Sequence, residues 1–328
     1  MERAGDILKR VELVKRVREN AHPLPAAPSP LTLSQKKLID AATEIRLDPD
    51  AIERAYMARQ LVQCTLPHSN PGKVEQWARR NGNLTLGITP GRDFENNCSI
   101  GYPYGTIPRL LLFWLTTEAV RTKNRRLELG NNLSQFMREL GLDPGRGGKR
   151  SDAKRLRDQM ERLFSCHISF KESLGREDGA EGKRWLDMQV APDGELWWHP
   201  NHPEQGALWG SWIELGEKFF NAIIAAPVPA DMRVLRVLRR SPLALDLYVW
   251  LTYRVYSVNR KGEPLTVSWE SLSRQMGCDY RDVREFRREA LGAIRKIKTV
   301  YPGLILSTKA RGRLMLRPSR LAIAPAAN

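Results

Sequence analysis

Leu265-Thr-Val-Ser268-Trp-Glu-Ser-Leu-Ser-Arg-Gln-Met276-Gly-Cys-Asp-Tyr280-Arg281-Asp-Val-Arg284-Glu-Phe-Arg287-Arg288-Glu-Ala290 is the stretch on which the fold turns. Leu265–Val267 reads as a short strand. Ser268 can cap a helix running to Met276 by accepting from a backbone N–H one turn on. Gly277–Tyr280 makes a turn, and a long helix from about Arg281 to Val300 stops before Pro302, which cannot continue it. Downstream, Leu304–Thr308 and Arg313–Arg317 form a hairpin with a basic tip at Lys309, Arg311 and Arg313; upstream lies the apolar helix Ala244–Tyr253. Helix, strand, helix, turn, helix, hairpin is the order of a winged helix, a helix-turn-helix variant.

Working toward the N-terminus, the same order occurs once more. Pro108 opens a helix over Arg109–Val120, and Arg126–Leu129 is a strand. Leu133–Leu140 is a capped helix, and a Gly/Pro turn leads to a polar helix from about Ser151 to Phe164. Strands at Cys166–Phe170 and Arg184–Val190 follow, joined by a Gly-rich tip. Between the two copies, Trp197, Trp198, Trp209 and Trp212 with the strand-like Ser211–Leu215 suggest a packed junction. Residues 1–20 place Ile7, Leu8, Val11, Val14 and Val17 at helical spacing, and four prolines between His22 and Pro30 make a linker. Ser34 would cap a further helix, a helical run covers about Pro49–Val62, and Leu84–Gly105 is loop-dominated around the strand Leu84–Ile88. The expected architecture is a mainly helical α+β protein. Its parts are a helical arm with a Pro-rich linker (1–60), a loop-rich lead-in (61–104), winged-helix domains at 105–215 and 216–320, and a tail (321–328).

The charge agrees with an anionic partner. The 328 residues carry 53 Lys+Arg against 37 Asp+Glu, a formal net charge of +16. From Arg233 to Arg320 there are 20 Lys/Arg against 7 Asp/Glu, alternating with apolar residues as on a folded basic surface rather than a disordered tail. No run approaches the roughly 18 apolar residues of a membrane span. The N-terminus lacks an apolar core and cleavage site, so a cytoplasmic location is expected. Cys64, Cys98, Cys166 and Cys278 are far apart without a CxxC pair, which argues against a disulfide framework and a structural zinc site.

Advancing about 100° per residue along the long helix gathers Arg281, Arg284, Arg288 and Arg295 into a stripe, with Val283, Phe286, Ala290, Ile294 and Ile297 facing the core. Arginine's fork can donate two hydrogen bonds to guanine O6 and N7 and can equally serve phosphates. Arg281, Arg284, Arg287, Arg288 and Arg295, with the hairpin's Lys309, Arg311 and Arg313, are therefore candidate contacts to double-stranded DNA. The bland alternative is a solvated face of ion pairs such as Glu285 with Arg281 or Arg288. In the upstream copy, Arg155, Gln159 and Arg162 share a helix face and Lys149, Arg150 and Lys154 crowd its N-terminal end, where anions are favoured. Enzymatic motifs fail. Gly145–Ser151 resembles a nucleotide-binding P-loop but has Asp143 and Arg150 where glycine and a hydroxyl residue are needed, and His199-Pro-Asn-His202 has nothing to complete a metal site. No catalytic constellation and no cofactor are expected.

Leu66-Pro-His68, Gly101-Tyr-Pro-Tyr-Gly-Thr-Ile-Pro-Arg-Leu-Leu-Leu112, Leu129-Gly130 with Leu133-Ser134, Arg155-Leu156 with Gln159-Met160, Pro227-Val-Pro229 and Ser241-Pro-Leu-Ala-Leu-Asp-Leu-Tyr248 together resemble RepA-type plasmid replication initiators. The likeness spans roughly residues 60–320, and the broader group includes TrfA-like initiators with two winged helices. It implies binding to repeated origin sequences (iterons), opening of adjacent AT-rich DNA, and recruitment of the host initiator and replicative helicase. It also implies that the C-terminal module is the principal reader, while the N-terminal one adds backbone or dimer contacts, which leaves a homodimer open. The rivals are a transcriptional repressor built on the same modules and a DNA nickase or recombinase.

Overall fold

Why residues 54–58 form a strand is visible only in the folded chain. The computed structural model describes residues 31–48, 51–130, 132–145, 148, 151–175, 180–197, 210–309 and 312–323. Within it, β1 (Arg54–Ala58) pairs antiparallel with β11 (Pro227–Asp231), Tyr56 standing opposite Pro229 and Ala58 opposite Pro227. The two prolines are two residues apart, so their missing N–H groups fall on one edge, away from β1. The outward Tyr56 N–H instead donates to Thr117 Oγ1 at 3.0 Å. Sequence periodicity predicts a helix over Pro49–Val62. The structure confines that helix to α2 (Arg59–Gln63), because pairing with β11 overrides local preference.

Two helices form the middle of the unit that spans Lys37–Asn328. In α3 (Ile107–Thr122) residues 107 through 116 are all buried, the mark of a helix surrounded by protein on every side. Pro108 lies in its first turn, and Lys123 caps its end in the left-handed region. α8 (Pro242–Lys261) is capped by Ser241, whose Oγ accepts from the Ala244 N–H, and ends at Gly262 with φ 74°.

The other elements follow in chain order. α1 (Leu33–Leu47) starts at a capping box: Thr32 Oγ1 accepts from the Gln35 N–H, and Gln35 Oε1 accepts from the Thr32 N–H. This cap lies two residues before the expected Ser34. β2 (Trp77–Asn81), β3 (Leu84–Thr89), β7 (His167–Gly175) and β8 (Glu181–Met188) form an antiparallel sheet in the order β2-β3-β7-β8. β4 (Gly91–Asp93) and β5 (Cys98–Gly101) form a hairpin. The lead-in around Leu84–Gly105 is thus richer in strand than its Gly, Asn and Pro content suggests. β6 (Arg126–Glu128), β9 (Asp193–Glu195) and β10 (Trp212–Glu214) make a second sheet with β10 central. α4 (Leu133–Glu139) is capped by Asn132 and α5 (Asp152–Ser165) by Ser151.

α6 (Glu217–Ala225), β11 and α7 (Met232–Leu238) were not foreseen. β12 (Leu265–Ser268), α9 (Trp269–Gln275), α10 (Val283–Val300), β13 (Leu306–Ser307) and β14 (Arg313–Leu316) complete the chain, with β14 between β12 and β13. The described residues therefore make a mixed α/β fold of ten helices and five small sheets. The element order α3-β6-α4-α5-β7-β8 recurs as α8-β12-α9-α10-β13-β14. The helix expected over residues 1–20, the linker at 22–30, the hairpin tip at 176–179, Trp198 and Trp209 lie outside the described residues.

Candidate nucleic-acid interface

α10 is placed by the turn before it. Ser268 Oγ accepts from the Ser271 N–H at 3.0 Å, which starts α9. Trp269 and Phe286 are buried edge-to-face, their ring centroids 6.4 Å apart, which joins α9 to α10. Gly277 lies between them. A Cβ there would fall on the Leu66 carbonyl, so only glycine allows segment 65–68 to approach. That segment clamps the turn. The Gly277 N–H donates to Thr65 Oγ1 at 2.8 Å, the His68 N–H donates to the Gly277 carbonyl at 2.6 Å, and the Thr65 N–H donates to the Gln275 carbonyl at 3.0 Å. From β2, Arg79 adds bonds to the carbonyls of Met276 and Cys278, 3.0 Å each, and an ion pair with Asp279.

Asp282 caps α10 by accepting from the N–H groups of Arg284 and Glu285, 2.8 Å each, which holds its carboxyl below the usual range. Arg281 precedes the helix, its N–H tied to the Glu285 carboxylate at 3.0 Å. Arg281, Arg284, Arg287, Arg288 and Arg295 are all exposed. Arg288 is engaged by Glu289 at 3.0 Å and Glu285 at 3.4 Å, so there the ion-pair alternative is realised. Among the described residues, Arg284, Arg287 and Arg295 make no ion pair, and their side chains are exposed. Val283, expected to face the core, is the first residue of α10 and is 39% exposed. Lys309 and Arg313 are exposed at the closing hairpin, where the Gly312 carbonyl accepts from the Trp269 N–H at 3.1 Å. Arg311 lies outside the described residues.

The upstream helix fits the expectation less well. Lys149 and Arg150 lie outside the described residues. Lys154 and Arg155 are exposed, Arg155 in an ion pair with Asp152 at 3.0 Å. Gln159 is only 6% exposed, and its Oε1 accepts from the Tyr104 N–H at 2.8 Å. Arg162 is half-buried over the Tyr104 ring and donates to the Tyr102 carbonyl at 3.3 Å. Both side chains hold residues 101–104 against α5 and do not present themselves to a ligand. The face left exposed includes the acidic Asp158 and Glu161.

Sequence reasoning missed a buried ion cluster behind this interface. Arg109, in the first turn of α3, is 2% exposed and forks onto Asp246, in the second turn of α8, with two bonds of 2.7 Å. Its remaining N–H groups donate to the carbonyls of Leu66 (2.6 Å), Pro67 (3.0 Å) and Gly105 (2.6 Å). His68 Nε2 donates to Asp246 Oδ2 at 2.8 Å. Burial alone would raise the Asp246 carboxyl, but the charge of Arg109 and the bonds from His68 and Arg109 hold it far below the usual carboxylate range. Burial lowers the His68 pKa despite the bond to Asp246. The cluster ties the starts of both long helices to the segment that clamps Gly277. Three of the motifs that carry the family resemblance, Leu66–His68, Gly101–Leu112 and Ser241–Tyr248, meet in it. That shared position is the signal that could have found it.

No helix among the described residues is long and apolar enough to cross a membrane, and they contain no group of metal-ligating side chains. The family described as plasmid encoded RepA protein matches residues 102–271. A search of curated proteins gives no match. Two solved structures are similar: RctB domains 2-3, at 12% identity with a TM-score of 0.46, covering 79% of this chain and 96% of that one; and a selenomethionine derivative of RctB domains 2 and 3, at 13% and 0.46, covering 81% and 99%.

Proposed function

This chain belongs to the plasmid encoded RepA protein family, and on that premise we propose that it is a replication initiator that binds repeated origin DNA sequence-specifically. The observation that carries the reading is the set of uncommitted, exposed arginines Arg284, Arg287 and Arg295 on α10. In this reading α9, α10 and the β12–β14 sheet form one winged helix, and α4, α5 and the β7–β8 hairpin form another. The first turns of α10 enter the major groove, where Arg284 reads base edges, and Lys309, Arg311 and Arg313 track the flanking phosphates. Lys154 and Arg155 in α5, with Lys149 and Arg150 that precede it in the sequence, add phosphate contacts. The protein acts without catalysis, in the cytoplasm, and hands the opened origin to the host initiator and helicase.

Arg284→Ala tests the reading. Loss of a bidentate base contact weakens specific binding by roughly 1–3 kcal/mol while leaving random duplex nearly unaffected; equal losses on both would make α10 a phosphate-binding helix only. A footprint over the DNA flanking the gene separates initiator from repressor: phased, repeated protection supports an origin, and a single protected operator supports a repressor.

A further inference from the structure

At the far end of α10 from the Asp282 cap, the end of α1, the start of α7 and the segment after β14 surround a cavity of about 560 Å³. Val234, Tyr248, Val300 and Tyr301 line it and are all buried, and Ile45 and Leu321 line it half-buried. An apolar cavity of a few hundred Å³ with a small number of convergent polar groups is the usual form of a small-molecule site.

The charge left over at this cavity is of one sign. Arg233 and Asp231 both line it, but they pair with each other at 2.8 Å and their charges are matched. Arg46 and Arg320 also line it and are exposed, and neither makes an ion pair among the described residues. The Arg46 guanidinium donates to the Thr299 carbonyl at 3.2 Å, which holds it beside the end of α10. The stem of Arg320 lies against Gly303, where an added Cβ would come within 2.9 Å of the Arg320 Cβ. The Tyr301 hydroxyl donates to the Arg320 carbonyl at 2.6 Å, whereas the Tyr248 hydroxyl accepts from the Asp231 N–H at 3.2 Å and finds no acceptor for its own proton among the described residues. Two unmatched guanidinium groups and one free hydroxyl proton, set around apolar surface, suit a ligand with an apolar body and an anionic head that accepts hydrogen bonds. Duplex DNA would use the arginines and leave the apolar surface empty.

We propose that this cavity binds a small aromatic carboxylate or a closely related apolar anion, its rings against Val234, Val300 and Leu321 and its anionic head held by Arg46 and Arg320. The proposal does not depend on origin binding.

Anilinonaphthalene sulfonate, a ring system bearing a sulfonate, is the probe, and phenylnaphthylamine, the same rings without the charge, is its control. Fluorescence titration of the full chain gives one saturable site for the sulfonate, about tenfold tighter than for the neutral dye. Naphthoate displaces the sulfonate and naphthol does not. Arg320→Gln and Arg46→Gln each weaken sulfonate binding about tenfold, the loss of one charge-assisted contact, and leave the neutral dye unchanged. Ala322→Trp, at a half-buried position lining the cavity, fills it and removes both dyes while the urea unfolding midpoint is unchanged. Many weak sites that ignore Arg320→Gln, or equal losses of both dyes in that variant, overturn the proposal. So does sulfonate binding that survives in Ala322→Trp, which would place the dye elsewhere. Binding seen only after residues 324–328 are deleted overturns it as well, because the chain's own tail would then be the occupant.

Discussion

Arg109→Met removes a guanidinium and keeps most of the aliphatic stem, so its effect isolates the buried cluster. Five hydrogen bonds disappear: two to Asp246 and one each to the carbonyls of Leu66, Pro67 and Gly105. Asp246, its side chain 9% exposed, is left with the single bond from His68. Breaking a buried ion pair from one side costs about 3–5 kcal/mol, and each orphaned buried carbonyl adds roughly 1 kcal/mol or more unless water reaches it. A loss of at least ~4 kcal/mol follows, a large share of the 5–15 kcal/mol that typically separates folded from unfolded. With a urea m-value of about 2.5 kcal/mol/M, the unfolding midpoint falls by about 1.5 M. The double variant Arg109→Met with Asp246→Leu no longer buries an unpaired charge, and it recovers about 2 kcal/mol of the loss while the Leu66 and Gly105 carbonyls remain unsatisfied and the Pro67 carbonyl keeps the Gly105 N–H. A midpoint shift worth under 1 kcal/mol in the single variant, or a double variant no more stable than the single, would refute the reasoning.

Gly277→Ala drives a Cβ into the Leu66 carbonyl and separates segment 65–68 from the turn; about 3 kcal/mol of stability is lost in urea unfolding, and a near-neutral change would show that the clamp yields easily. His68 has a folded pKa below its ordinary 6.5, so the unfolded chain binds the extra proton. Its contribution is complete above pH 6.5 and is lost as pH falls below it. His68→Gln should remove that part of the midpoint shift between pH 7 and 5.5, while Asp246, depressed from 3.8, adds a further loss only below about pH 4 that both proteins retain. Arg162→Ala should lower stability through the freed Tyr102 carbonyl but leave the salt dependence of DNA binding unchanged, whereas Arg155→Ala should reduce the slope of log affinity against log salt by roughly 0.9; the opposite pattern in a salt titration would place Arg162 on the DNA.

Local signals were legible where one short window contains the whole cause. Ser268 caps a helix as its spacing suggests, and the Phe286, Ala290, Ile294 and Ile297 face of α10 is buried. What escaped depends on partners remote in sequence. Arg54–Ala58 is a strand because Pro227–Asp231 lies beside it. Gln159 and Arg162 sit on the polar side of α5, yet loop 101–104 covers that side and turns them inward. Arg109 and Asp246, 137 residues apart, read as ordinary charges in apolar helices until the fold brings them together. An arginine inside the otherwise apolar run Ile107–Leu115 was the one local hint, since such a residue is seldom fully buried without a partner.

The pairing of β1 with β11 sets an order of events on the ribosome. Residues 54–68 emerge early, but the strand that completes β1, the acid that neutralises Arg109 and the glycine that receives Leu66 all emerge at least 159 residues later. Until then β1 has an open edge and Arg109, once made, has no counter-charge, the kind of exposure that invites aggregation or chaperone binding. Such long loop closures slow folding. A chain cut before Pro227 would leave those debts permanently open, so an isolated N-terminal half should be a poor folder, however convincing its helices look by themselves.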